Sequence, residues 1–192
     1  WIDLGLTQKD ISVPMSTLNN LNSKAVDVEA PRLSFVRDPR TIHLDISGIE
    51  MDKVTLPIHP EHPDKGVREW SLGDNPLKVK IASEDFTSRE GRRLKDFATI
   101  GINHQKTKHG WEGEISRIER IDDTPIIHWL PSNMAQPAVL LLEEEGELVA
   151  AEGLLEINDY PDGTVVQLER MGFAILEGIE ENGARRLVRL HG

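Results

Sequence analysis

Val165-Val166-Gln167-Leu168-Glu169-Arg170-Met171-Gly172-Phe173-Ala174-Ile175-Leu176 is the stretch on which the reading of this chain turns. Val165, Leu168 and the run Phe173 to Leu176 are strand material. Between them, Gln167, Glu169 and Arg170 are polar groups that an apolar strand does not need, and Gly172 lets the backbone bend or another chain come close. Gln and Arg are also side chains that can read base edges. From these residues alone two readings stand: an edge strand with a solvated face and a bulge glycine, or a strand that presents readers to a nucleic acid.

Outward from that stretch the chain repeats one style. Short apolar runs broken by Gly, Pro, Asn and Asp begin after Pro31: Leu33–Val36, Thr41–Ile46, Lys53–Ile58, Leu77–Ile81, Phe97–Ile102, Glu112–Ile121, Ile126–Leu130, Ala138–Leu142, Leu148–Leu155, Val165–Leu168, Phe173–Leu176 and Arg186–Leu190. Regular spacing with turn signals predicts an all-β barrel or sandwich rather than alternating βαβ units. Two hairpins are explicit, Glu144 to Glu147 around Gly146 and Ile179 to Arg185 around Asn182-Gly183. Ahead of Pro31, Leu18, Leu21, Ala25 and Val26 at helical spacing predict a helix over 16–30, with Ser16 or Thr17 as its N-cap. Ile2, Leu4 and Leu6 would be orphaned apolar residues unless something preceded them, so a longer parent protein is expected.

Composition bounds the function. With 192 residues the chain can bury a core as one domain or two small ones, and it has no cysteine, so disulfide frameworks and thiolate metal sites are excluded. No apolar run approaches the ~20 residues of a membrane span and no signal peptide opens the chain, which makes cytoplasm the default. A formal net charge of -11 argues against a generic polyanion binder, because such binding rests on neutralising phosphates. Any RNA contact would need local patches, for which Arg89, Arg92, Arg93 and Lys95, then His104, Lys106, Lys108 and His109, then Arg185, Arg186 and Arg189 are candidates. The acidic run Glu143, Glu144, Glu145 and Glu147 reads as a solvated hairpin tip.

Four blocks, in order, carry a resemblance. They are Ala30-Pro31-Arg32-Leu33-Ser34-Phe35-Val36-Arg37-Asp38-Pro39, Arg93-Leu94-Lys95-Asp96-Phe97, Ile126-Ile127-His128-Trp129-Leu130-Pro131, and Pro161-Asp162-Gly163 with the opening stretch after it. A fifth, Leu56 to Arg68, holds a His-Pro pair and a following Gly-x-Arg. Together they resemble the anticodon-binding region of archaeal-type and eukaryotic-type glutamyl-tRNA synthetases and of their sister glutaminyl-tRNA synthetases. The resemblance implies a mainly β protein: a short N-terminal helical segment (1–30), then two antiparallel β-barrels, a proximal one from 31–90 plus 136–192 and an inserted distal one from 91–135.

The same resemblance implies roles. Arg32 and Gln167 would read the middle anticodon base, a uridine, a guanidinium and an amide together meeting the donor and acceptor pattern of a splayed base. Arg170 would act toward the third base, with Glu169 orienting it or facing the opposite side of the strand. Arg93 would lie near the first base and share a strand face with Lys95 as a two-point cationic stripe. The partner implied is tRNA, neither DNA nor a membrane: glutamate tRNA, with glutamine tRNA as the alternative. ATP and Mg would belong to a catalytic half, whose His-Ile-Gly-His-like and Lys-Met-Ser-Lys-Ser-like signatures do not occur here, so this chain alone is expected to be catalytically silent and free of cofactors.

Other candidates weigh less. His59 and His62 in His-Pro-Glu-His-Pro have no Cys or third His close by and do not make a metal site. His128 in an apolar strand reads as a structural histidine. Of Trp1, Trp70, Trp111 and Trp129, at least three are expected in cores rather than stacked on bases. Two departures stand out: Val149-Ala150-Ala151-Glu152-Gly153 replaces Gly-x-Ala-Glu-Pro, putting a tight turn there in doubt, and Leu168 replaces a phenylalanine. The short span between Gly110 and Trp129 favours the glutamyl branch over the glutaminyl one. A β-barrel module that binds a protein partner rather than RNA is the rival from another class.

Overall fold

The computed structural model describes residues 29–87, 91–108, 110–120 and 123–190. The helix expected over 16–30 lies outside the described residues but for its last two positions, as does Trp1. Among the described residues the regular elements are strands and short 3-10 turns, so no helical segment belongs to the described architecture. The strands are β1 (Arg32–Leu33), β2 (Phe35–Arg37), β3 (Pro39–Leu44), β4 (Lys53–Pro57), β5 (Val67–Ser71), β6 (Leu77–Ala82), β7 (Arg92–Leu94), β8 (Thr99–Thr107), β9 (Gly110–Arg117), β10 (Ile126–Ile127), β11 (Trp129–Pro131), β12 (Ala135–Glu144), β13 (Glu147–Glu156), β14 (Val165–Leu168), β15 (Gly172–Ile179) and β16 (Arg185–Arg189).

These strands build two seven-stranded sheets and one hairpin. The first sheet runs β1-β14-β15-β16-β12-β13-β2, the second β10-β7-β8-β9-β3-β6-β11, and β4 pairs with β5 alone. The edges of the first sheet, β1 and β2, are consecutive in the chain and flank Ser34. In the second the edges β10 and β11 flank His128 in the same way. Each sheet therefore rolls up until one run of chain leaves one edge and starts the other, a nearly closed barrel with a single-residue seam.

The barrels are not purely antiparallel. β1 lies parallel to β14, β12 to β16, β10 to β7 and β3 to β9. A tight hairpin forces antiparallel pairing only on strands adjacent in the chain, and these four pairs are not. β3 and β6 bond to β9 and β11 in the second sheet.

Alternation fixes which barrel each face serves. β6 buries Leu77, Val79 and Ile81 while Lys78 stays exposed. Phe35 on β2 joins the first core with Leu33, Leu140, Leu155, Val166, Leu168 and Leu187. Its neighbour Val36 points the other way, into the second core with Ile42, Val79, Leu94, Ile100 and Trp129. That second core also takes Val54, Leu56 and Trp70 from the β4–β5 hairpin. Trp129 stacks on Phe97 and meets Trp70 edge-on, both at 5.3 Å.

Both explicit hairpins form. Glu145 (φ 52°) and Gly146 (φ 82°) make the two-residue turn between β12 and β13, the left-handed pair such turns require. The departure at 149–153 changes no turn, because these residues run through the middle of β13. Gly153 is needed there for a different reason: a Cβ on it would stand 2.4 Å from the Val36 carbonyl oxygen of the adjacent strand.

Candidate functional site

The parallel pairing of β1 with β14 sets Arg32 directly opposite Gln167. Both backbones are anchored, Gln167 N–H donating to Pro31 O and Arg32 N–H to Ile58 O, each at 2.9 Å. Their side chains are half-buried, and Arg32 Nε and Gln167 Oε1 are buried with no hydrogen-bond partner among the described residues. One is a donor and the other an acceptor, side by side. Buried polar atoms left unmet cost on the order of 1–3 kcal/mol each, a cost that a ligand offering the complement would relieve.

β14 ends at Leu168, which pairs with Gly172 across a three-residue loop closed by Met171 N–H to Leu168 O at 3.1 Å. Arg170 takes φ 67° at the loop tip and Gly172 φ 90°, the conformation that calls for a glycine at 172. The exposed Arg170 guanidinium is 2.8 Å from Asp85 Oδ2. Glu169, read as orienting Arg170 or as facing the opposite side of the strand, turns inward at the strand end, where its side chain is 6% exposed.

Three donors from three elements converge on that carboxylate. His128 Nδ1 lies 2.8 Å from Oε2, Ser34 Oγ donates to the same oxygen at 3.3 Å, and Lys95 Nζ bonds Oε1. Ser34 and His128 are the two seam residues, so Glu169 ties both barrels at the points where they close. Burial alone would push this carboxyl up. The His128 bond and the charge of Lys95 outweigh it and hold Glu169 down to about 2. Ser34 N–H in turn donates to Glu156 Oε2 at 3.0 Å, and Glu156 Oε1 receives Arg68 Nε and Trp70 Nε1, both at 2.8 Å. For Glu156 burial wins, raising its pKa despite Arg68, Trp70 and Ser34.

Arg32, Lys95, His128, Gln167, Glu169, Arg170 and Gly172 line one open cleft of about 410 Å³ between these elements. Of the five residues singled out in the sequence, Arg32, Lys95, Gln167 and Arg170 are brought together there. Arg93 is not: it is 8% exposed, and its Nη1 donates to Glu119 O at 3.3 Å. The cationic stripe of Arg93 and Lys95 does not form, because β7 stops at Leu94, and Lys95 sits in a turn completed by Asp96 at φ 60°. Its backbone oxygen accepts from Trp129 Nε1 at 2.9 Å, which aims the ammonium at Glu169.

Sequence reading missed His128 and Glu169 as cleft residues. His128 showed there only as a polar group inside an apolar run, and Glu169 only as one more polar residue beside Arg170. In the third basic patch Arg185 pairs with Asp162 at 2.6 Å and Arg186 with Glu177 at 3.3 Å, while Arg189 is exposed. Lys106 and Lys108 are exposed where β8 turns into β9, whereas Arg89 and His109 lie outside the described residues. His59 is buried, and its Nδ1 accepts from Glu61 N–H at 3.2 Å. Trp70 and Trp129 are core residues and Trp111 is half-buried against Phe86.

Comparison with known proteins bears on this cleft. Residues 30–121 match the family model described as tRNA synthetases class I (E and Q), anti-codon binding domain. The chain is 34% identical over 189 residues to a glutamate--tRNA ligase of Pyrococcus abyssi, covering 93% of this chain and 32% of that protein. It is 32% identical over 191 residues to a glutamate--tRNA ligase of Pyrococcus furiosus (94% and 32%) and 32% identical over 185 residues to one of Methanosarcina acetivorans (94% and 31%). The chain thus spans about a third of the length of the curated relatives it matches.

Proposed function

From the premise that residues 30–121 belong to the anticodon-binding domain family of the class I (E and Q) tRNA synthetases, we propose that this chain recognises the anticodon of glutamate tRNA as part of a glutamate-tRNA ligase. The observation that carries the reading is the unmet donor Arg32 Nε beside the unmet acceptor Gln167 Oε1 in the cleft. A uracil edge offers a carbonyl oxygen next to an N–H, the complement of that pair. Cytosine puts a bare ring nitrogen where uracil has N3–H, leaving the Gln167 oxygen without a donor. Arg32 and Gln167 then select a middle uridine.

Arg170, on the loop tip two residues past Leu168, acts toward the third base, and Lys95 contributes positive potential to the cleft wall. Arg93 supports this site from the second barrel through the backbone it braces. In this reading the two barrels are the anticodon-binding barrels, and amino-acid activation with ATP and Mg belongs to the rest of the ligase, acting in the cytoplasm. No described helix is long and apolar enough to cross a membrane.

Gln167→Ala tests the assignment. Binding of a glutamate-tRNA anticodon stem-loop and of the same loop with the middle uridine changed to cytidine should converge, discrimination falling by about 1–3 kcal/mol. An unchanged ratio would remove Gln167 from base reading.

A further inference from the structure

Around the cleft the side chains are mostly donors. Arg32, Lys95 and Arg170 have no acceptor atom at all, and Glu169 already accepts from three groups. Beyond Gln167 Oε1, one acceptor remains to be found. His128 lines the cleft, and its Nδ1 lies 2.8 Å from a carboxylate oxygen. An ionised carboxylate only accepts, so the Nδ1 nitrogen carries the proton. When the imidazole is neutral, a proton held there leaves Nε2 bare. That nitrogen makes no hydrogen bond among the described residues, and the side chain keeps 20% of its surface exposed.

We propose that His128 is a further specificity-determining residue of the cleft, its Nδ1 held as a donor by Glu169 so that its Nε2 accepts a hydrogen bond from the bound RNA. This rests on the function proposed above. The donor on the RNA is a base N–H or a ribose 2′-hydroxyl, the two kinds that an unpaired nucleotide presents beside its acceptors. Glu169 is then a positioning residue: it fixes the tautomer of His128 and the place of Lys95 without itself meeting the RNA. Ser34 completes the arrangement by occupying the same carboxylate oxygen as His128, which leaves that oxygen no reason to turn toward solvent.

Two substitutions separate the ring's two nitrogens. Asparagine at this position reaches Glu169 with its amide as Nδ1–H does but has nothing in place of Nε2, so His128→Asn keeps the bond to Glu169 and deletes the outer acceptor. In calorimetric titrations with the glutamate-tRNA anticodon stem-loop, His128→Asn should keep the thermal midpoint of the parent and bind about tenfold more weakly, the order expected for one hydrogen bond in a buried polar contact. His128→Gln, whose amide oxygen reaches the Nε2 position, should recover part of that loss. A loop with single 2′-deoxy sugars at the anticodon positions assigns the donor: one deoxy position that weakens the parent and not His128→Asn identifies a ribose, and none identifies a base.

Parent-like affinity of His128→Asn overturns the inference. Should that variant fail to fold, nitrogen-15 NMR of the histidine ring in the parent decides instead. The inference requires a bare Nε2 in the free chain that shifts toward the hydrogen-bonded range when the stem-loop is added, and a protonated or unmoved Nε2 refutes it. Failure of the parent chain to prefer the native loop overturns the proposed function itself, and this is read without any variant.

Discussion

Replacing Glu169 by glutamine should expose how much the junction of the two barrels depends on one charge. The substitution keeps the shape of the side chain and removes the carboxylate that accepts from His128, Ser34 and Lys95. In the folded chain the carboxyl sits at about 2 instead of the ordinary 4.5. With about 1.4 kcal/mol for each tenfold change in proton affinity, that drop corresponds to roughly 3 kcal/mol of stability. The group is nearly buried, so solvent screening removes little of it. Because the folded value is depressed, the contribution is fully present above the unfolded pKa and is lost as pH falls through the folded one. Glu169→Gln should therefore cost about 3 kcal/mol at pH 7, measured from denaturant unfolding, or about 6–12 °C in thermal midpoint for a chain of this size. The gap from the parent should narrow below pH 4.5 and close near pH 2. Glu156 works in the opposite sense: its raised pKa means that the parent regains stability as that group protonates, equally in both proteins, so it cancels in the comparison. A gap that stays the same from pH 7 to pH 2, or that is under 1 kcal/mol at pH 7, would refute the ionised network as the tie between the barrels.

Other outcomes follow from single positions. Arg170→Ala removes an exposed guanidinium from a loop whose backbone is set by Met171 and Gly172, so the fold should hold while discrimination at one anticodon base falls by about 1–3 kcal/mol; equal ratios for matched and mismatched loops would deny Arg170 a reading role. Lys106→Ala should weaken every RNA about equally and lower the salt slope by about one, and an altered base preference would contradict its reading as a phosphate contact. Gly153→Ala places a Cβ against the Val36 carbonyl and should destabilise by about 2–3 kcal/mol in denaturant unfolding, since backbone on the neighbouring strand cannot step aside cheaply. A parent-like midpoint there would show that β2 and β13 can separate without cost.

Much of the fold is legible in the sequence because it is written locally. The alternation of Leu77, Val79 and Ile81, the Glu145-Gly146 and Asn182-Gly183 turns, and the opening stretch itself declare strands and hairpins residue by residue. β5 and β7 escape that reading: Val67–Ser71 carries an arginine and a glutamate among five residues, and Arg92–Leu94 is two-thirds arginine, so neither has an apolar face long enough to register. Which strands pair is harder still. The parallel contacts of β1 with β14 and of β3 with β9 join segments far apart in the chain, and no local pattern encodes a partner. The single-residue seams at Ser34 and His128 arise only from that pairing, which is why Glu169, whose three partners lie 41 to 135 residues away, looks in the sequence like one more polar residue beside an arginine. The site residues were named through a resemblance; the geometry adds that Arg32, Lys95, Gln167 and Arg170 share a cleft and that Arg93 is spent on backbone.

The acidity of the chain makes one titration the most direct test of its role. With a net charge of -11 it has little general attraction for RNA, and two of the cleft's cations are already paired with Glu169 and Asp85, so sequence preference must come from base contacts. The chain should be titrated with a glutamate-tRNA anticodon stem-loop and with the same loop carrying a changed middle uridine, at low and at moderate salt. The account predicts tighter binding of the native loop at both salts, the preference persisting as overall affinity falls. Equal binding of the two loops would contradict it, and so would a preference present only at low salt.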